Sequence, residues 1–142
     1  MRLQSAIFVL EDTLPRHPDA GKVLSILKME GVWMYAVTDM ERAEAEAFLR
    51  ALRLEEYFRG ILTAREALCP ASDARMYEKA MRRLRSTLRD TVVFVGRADA
   101  LRNAKAAGFR TAAVAGAADA AEWDAMRAEA EEVVASYADF LA

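Results

Sequence analysis

The sequence predicts an α/β domain with a mostly parallel, five-stranded sheet and helices on both faces. Two observations predict it: short continuous apolar runs alternate with longer amphipathic stretches, and glycines stand at the joins. The runs are Ala6–Leu10, Val32–Val37, Val92–Val95 and Thr111–Ala115, with Gly60-Ile61-Leu62 as a weaker fifth. Their length and their β-branched and aromatic content favour buried strands over helices. Buried strands joined by helical crossovers give a parallel sheet with right-handed connections.

The helical stretches follow from apolar spacing. Ala20–Glu30 places Val23, Leu24, Leu27 and Met29 near one face, and Glu41–Leu52 does the same with Ala45, Phe48, Leu49 and Leu52. Asp73–Leu88 gathers Met76, Ala80, Met81, Leu84 and Leu88. Asp99–Ala107 and Ala118–Tyr137 complete the set, the last read as a docked helix. Gly31 and Gly108 each follow a helix and precede a strand, the position where a left-handed residue closes a helix. Asp19, Asp39, Asp73 and Asp99 are the expected N-caps.

Composition narrows the function classes. The 142 residues suit one domain, residues 1–142, and 54% are apolar, enough for a sizeable core. Twenty Lys and Arg against 22 Asp and Glu leave a net charge of −2, which argues against nucleic acid or anionic lipid as partners. The one cysteine, Cys69, excludes an internal disulfide framework and a four-thiolate metal site, and fits a reducing compartment. The apolar run after Met1–Ser5 is too short for a signal sequence or a membrane span, so a cytoplasmic protein is expected.

Ligands of open α/β sheets bind beyond the carboxyl ends of the strands. There the chain places Glu11-Asp12-Thr13 after the first strand, Thr38-Asp39 after the second and Gly96-Arg97-Ala98-Asp99 after the fourth. These are acidic, hydroxyl and backbone-donor groups with one arginine.

The same segments, in order, resemble the motifs of the haloacid dehalogenase superfamily. Ile7-Phe8-Val9-Leu10-Glu11-Asp12-Thr13-Leu14 is similar to I-F-D-x-D-G-T-L, and Val37-Thr38 to the strand ending in Thr or Ser. Glu44–Leu62 resembles the helix and strand that follow. Cys69-Pro70 with Tyr77-Glu78-Lys79-Ala80 resembles K-P-x-P-x-x-Y-x-x-A with two residues inserted. Val93-Phe94-Val95-Gly96 with Asn103–Phe109 resembles V-G-D-S…A-A-K-A-A-G-M, and Tyr137–Leu141 the closing segment. The ordered set spans nearly the whole chain. It implies a Rossmann-like core, and the short spans Leu14–Trp33 and Thr38–Cys69 leave no room for a cap domain.

The resemblance also marks departures. The family's nucleophilic aspartate, which forms an aspartyl-phosphate, corresponds to Val9. The acid/base aspartate corresponds to Glu11 and the glycine after it to Asp12. The lysine corresponds to Cys69, and an aspartate that binds Mg²⁺ to Arg97. Losing two carboxylates and gaining a cation argues against a tight Mg²⁺ site, so no metal or other cofactor is expected. Thr38 keeps the hydroxyl that would bond phosphate, and Thr38 with Arg97 is the candidate phosphate site. The expected function is therefore a catalytically inactive binding or regulatory module. The alternative is a phosphate-ester hydrolase with Glu11 or Asp12 as a displaced nucleophile. The expected partner is a small anion, a protein, or a second copy of the chain packed on the open face.

Several residues carry a bland reading beside the functional one. Glu11 and Asp12 are expected as loop carboxylates facing solvent or capping a turn. Arg97 is expected to pair with Asp12 or Glu11 across the mouth. Cys69 lacks a neighbouring histidine, His17 is expected as a solvated loop residue, and Arg82, Arg83, Arg85 and Arg89 as a solvated face.

Overall fold

The computed structural model describes residues 4–15 and 17–141. Met1–Leu3, on which part of the targeting expectation rests, lies outside them, as does Arg16 of the Pro15–Pro18 loop.

Alternation of strands and helices produces β1 (Ser5–Val9), α1 (Leu10–Thr13), α2 (Ala20–Met29), β2 (Trp33–Thr38), α3 (Arg42–Leu52), β3 (Phe58–Thr63), α4 (Ala64–Ala67), α5 (Ala74–Arg83), β4 (Thr91–Val95), α6 (Ala98–Ala106), β5 (Arg110–Val114), α7 (Ala120–Glu129) and β6 (Glu132–Val134). The sheet order is β3-β2-β1-β4-β5-β6, and every pairing is parallel. Strand order reverses between β1 and β4, which opens a crevice at their carboxyl ends.

Alternation along each strand splits the core into two layers. Ile7, Val9, Val93 and Val95 face the layer of α5, α6 and α7, with Met76, Tyr77, Leu101 and Met126. Ala6, Phe8, Val92 and Phe94 face the layer of α2 and α3, with Val23, Leu24, Leu49 and Tyr137. Phe8 stacks on Phe94 at 4.3 Å between ring centroids, tying the two central strands together.

The sheet has six strands where five were expected. Ala118–Tyr137 is not one helix: Asp119 caps α7 by accepting from Glu122 N, and the helix ends at Glu129 with Ala130 extended. Val133 and Val134 then pair with Ala113 and Val114, and Val134 is fully buried. β-Branched side chains fit a pleated edge better than a further helical turn. Gly60-Ile61-Leu62 lies in a full strand, β3. Arg42 blunts this open edge, its guanidinium donating to the Ile61 carbonyl (2.6 Å) and gripping Glu66 through two bonds of 2.8 Å.

Helix ends follow local chemistry. Gly31 and Gly108 have φ of 84° and 92°. Val32 N bonds Leu27 O and Phe109 N bonds Ala104 O, which closes both helices in the expected left-handed turn. Asp73 caps α5, as its position suggests. Asp39 does not cap α3, which begins after Glu41, and Asp99 lies inside α6, whose cap position is Arg97. Asp19 stands at the cap of α2 without a capping hydrogen bond, its carboxylate 3.6 Å from Lys22 Nζ.

The helix expected over Asp73–Leu88 stops at Arg83 because Arg85 turns left-handed at φ 54°. Ser86 N reaches Met81 O (3.1 Å), the closure usually built on glycine. Arg85→Gly is expected to raise stability by about 0.5–1 kcal/mol, relief of the left-handed cost exceeding glycine's unfolded-state entropy. Urea unfolding should show a higher midpoint with an unchanged slope.

Candidate active-site cleft

A cleft of about 290 Å³ opens at the β1–β4 reversal, lined by Val9, Glu11, Asp12, Asp39, Ala71, Ser72, Arg97, Asp99 and Ala100. The fold brings four of the seven sequence-selected residues to its wall: Val9, Glu11, Asp12 and Arg97. Thr13, Thr38 and Cys69 are buried behind it.

The first strand ends in α1, a single turn held by Thr13 Oγ1, which donates to Val9 O (2.7 Å). This turn lifts Glu11 and Asp12 to the rim. It rests on Gly96, where an added Cβ would fall on the Asp12 carbonyl oxygen. Glu11 reaches across to the end of β2. Its Oε2 accepts from Thr38 Oγ1 (2.9 Å) and from Asp39 N (3.0 Å). Thr38 Oγ1 in turn accepts from Met40 N (3.0 Å), so the buried hydroxyl is engaged on both sides. Glu11 Oε1 is buried with no hydrogen-bond partner. Asp39 Oδ1 accepts from Ala71 N (2.8 Å), fixing the loop before α5 against the β2 end. That role replaces the helix cap expected of it.

Asp12 is the carboxyl under most electrostatic pressure. Burial comes first, then the charge of Glu11, with Asp39 and Asp99 adding to it and Arg97 opposing. Together they push its pKa from 3.8 to about 6.

Arg97 does not pair with Asp12 or Glu11 across the mouth. Its Nε donates to Glu122 Oε2 (3.0 Å), and Ala98 N donates to the same oxygen (2.7 Å). The partner lies on α7, 25 residues away in sequence, so no local spacing could have indicated it. The Ala98 bond and the guanidinium hold the Glu122 carboxyl below its usual range.

Val9 packs with Cys69, Ala71, Tyr77, Val95 and Ala100 in the apolar cluster beneath the cleft. Cys69 is buried and free, and burial, then the charge of Asp73, pushes its thiol pKa upward. Lys79 lies near but donates to Ala67 O (2.6 Å). His17, expected as a solvated loop residue, is half-buried: its Nε2 lies 2.6 Å from Ala115 O and its ring stands edge-on to Tyr137. Arg83 of the basic run donates to Tyr35 Oη (2.9 Å), while Arg82, Arg85 and Arg89 are exposed.

These residues do not fit the family's magnesium. Val9 offers no donor, Arg97 is a cation, and among the described residues no group of three His, Cys, Asp or Glu side chains is placed to hold a metal.

Fold and site together define a Rossmann-like α/β core with a carboxylate-lined cleft at its topological switch point. Residues 3–108 match the family model of haloacid dehalogenase-like hydrolases, and the chain belongs to that family. Among solved structures, the core domain of a protein described as a phosphoglycolate phosphatase from Streptococcus pneumoniae superposes with a TM-score of 0.74 at 18% identity, covering 99% of this chain and 94% of that one. A protein described as a haloacid dehalogenase-like hydrolase from Bacteroides fragilis gives 0.74 at 20% identity, covering 87% and 58%. L-2-haloacid dehalogenase from Xanthobacter autotrophicus gives 0.70 at 14%, also covering 87% and 58%. At these identities the likeness shows the fold alone. The chain thus spans little more than half the length of the latter two. Among curated protein sequences, none matches. No helix among the described residues is long and apolar enough to cross a membrane.

Proposed function

We propose that this chain is a catalytically silent member of its family, a single core domain without a cap that works as a binding or regulatory module in the cytoplasm. The observation that supports the reading is the state of the nucleophile position. Val9 ends β1 at the cleft floor and packs in an apolar cluster, so no oxygen there can attack a phosphoryl group. Two further features agree with it. Arg97 holds the position of a metal-binding aspartate and is tied to Glu122, and Cys69 replaces the lysine without lining the cleft. The single buried thiol suits a reducing compartment.

The rival reading, hydrolysis of a phosphate ester, has its best case in Asp12. That carboxyl lines the cleft, whereas Glu11 is already bonded to Thr38 and Asp39. Assay of the purified protein with Mg²⁺ and p-nitrophenyl phosphate separates the two. No turnover above buffer is expected. Turnover that Asp12→Asn or Thr38→Val abolishes would overturn the silent reading.

Restoring the lost groups gives a complementary prediction. Val9→Asp with Arg97→Asp and Cys69→Lys is expected to bind Mg²⁺, seen by calorimetry, where the unaltered protein does not. Absence of a gain in a folded variant would contradict the residue correspondence on which the reading rests.

A further inference from the structure

We propose that the amino ends of the strands, opposite the cleft, carry a second site that binds a small organic anion. Its carboxylate or phosphate head is held by Arg85, Ser5 and Ser86, and its aromatic body lies against Trp33 and Leu84. The site is independent of the cleft and of the silent reading above.

A cavity is the first ground. About 430 Å³ opens where β1 and β2 begin, with Ser5, Trp33, Leu84, Arg85 and Ser86 in its lining. That volume lies within the range of small-molecule sites. Ser5 and Trp33 are register partners on β1 and β2. Alternation puts Ser5 on the same face as Ile7 and Val9, and Trp33 on the same face as Tyr35 and Val37. That face is the one covered by α5, whose Leu84 packs in the same cluster. Both side chains therefore point toward the turn that carries Arg85 and Ser86.

Ser5 is the second and independent ground. It is only 3% exposed, it lines the cavity, and its hydroxyl has no hydrogen-bond partner among the described residues. Buried hydroxyls are normally bonded, and one left open toward a cavity is ready for a ligand. A second hydroxyl stands beside it. Thr91 is the register partner of Ser5 on β4, and Thr91 Oγ1 donates to Ser86 Oγ (3.0 Å). Ser5 and Ser86 thus offer two hydroxyls on one wall.

Charge and shape choose the ligand. Arg85 lines the cavity from a left-handed turn, φ 54°, where glycine would cost less but would bring no guanidinium. Among the described residues no carboxylate pairs with it. Arg59 lies over the Trp33 indole, 4.0 Å from the ring centroid, and also has no carboxylate partner there. Two cations thus stand against one lining carboxylate, the exposed Glu30, which pairs with neither. A carboxylate or phosphate matches the planar fork of Arg85 and the hydroxyls beside it. The indole of Trp33 is 45% exposed, and with Leu84 it supplies an apolar wall for a planar group. The basic run after α5 thereby gains a use beyond a solvated face.

The test is titration of the whole protein at neutral pH, followed by calorimetry and by NMR of Ser5, Trp33, Arg85 and Ser86. The probes are adenosine monophosphate and 3-phenylpropionate, with adenosine, inorganic phosphate and phenethylamine as comparisons. At least one organic anion should bind and shift these signals while Glu11 and Asp12 stay in place. Adenosine lacks the head, inorganic phosphate lacks the body, and phenethylamine reverses the charge. Each should bind at least about tenfold more weakly. Arg85→Gly, expected above to raise stability, should weaken anion binding about tenfold or more, so its effect cannot come from unfolding. Ser5→Ala should weaken binding as well. Binding of adenosine monophosphate alone identifies a phosphate head, and binding of 3-phenylpropionate alone a carboxylate. The proposal is overturned if neither anion shifts these signals, if inorganic phosphate binds as tightly as the organic anions, or if Arg85→Gly leaves affinity unchanged.

Discussion

Gly96→Ala is expected to destabilise the fold by roughly 2–3 kcal/mol, a cost typical of overpacking a site that cannot yield. A Cβ at Gly96 would overlap the carbonyl oxygen of Asp12 and lie 2.8 Å from Asp12 Cβ. Both atoms belong to the backbone or are fixed by it, so no side-chain rotation relieves the clash. α1 would have to move away from the end of β4. That shift would carry Glu11 and Asp12 off the cleft and stretch the bonds from Thr38 and Asp39 to Glu11. Urea unfolding should show the loss, and NMR should show displaced Glu11 and Asp12 signals in the folded fraction. A loss under about 0.5 kcal/mol would mean that α1 is not seated on Gly96.

Asp12→Asn is expected to act in the opposite direction. Burial and the neighbouring carboxylates raise the folded-state pKa of Asp12 from 3.8 to about 6. In the unfolded chain the group ionises near its ordinary value. Between these two pH values the folded state binds more protons than the unfolded state, so stability falls as pH rises through the window. Above it the penalty is constant, about 1–2 kcal/mol after allowance for the partial exposure of the carboxyl. Asparagine removes the charge without changing the shape. The variant should be more stable than the parent by that amount near neutral pH and equal to it below about pH 4. Chemical denaturation across the pH range checks both limits. A gain that does not depend on pH would show that charge is not the cause. Stability given up at a cleft carboxylate is the usual mark of a residue kept for binding rather than folding.

The fold was largely legible because packing writes itself into periodicity. Ala6–Leu10 and Val92–Val95 read as buried strands because both faces of β1 and β4 are covered, and only continuous apolar sequence satisfies that. Gly31 and Gly108 read as helix ends because a positive φ selects glycine. The sixth strand was not legible. Glu132-Val133-Val134 follows an alanine- and glutamate-rich helix, and nothing local announces that β5 leaves an open edge for it to join. The end of α5 was missed for a related reason: Arg85 takes a turn that glycine usually marks.

The site divides the same way. Position along the chain was enough to place Val9, Glu11, Asp12 and Arg97 at strand ends, because a parallel sheet brings those ends together whatever the side chains are. The ordered motifs were enough to give the family, and their resemblance implies which of its reactive positions are filled by other residues. Only the tertiary structure assigned partners. Arg97 pairs with Glu122 on a distant helix, Asp39 holds Ala71 in place of capping α3, and His17 lies half-buried against Ala115 and Tyr137. Only the folded chain, too, sets Glu11, Asp12, Asp39 and Asp99 around one cleft. Strand and helix are set by short-range pattern, which sequence records directly. The charge balance of the cleft is set by contacts between residues far apart in sequence, and these exist only once the sheet has formed.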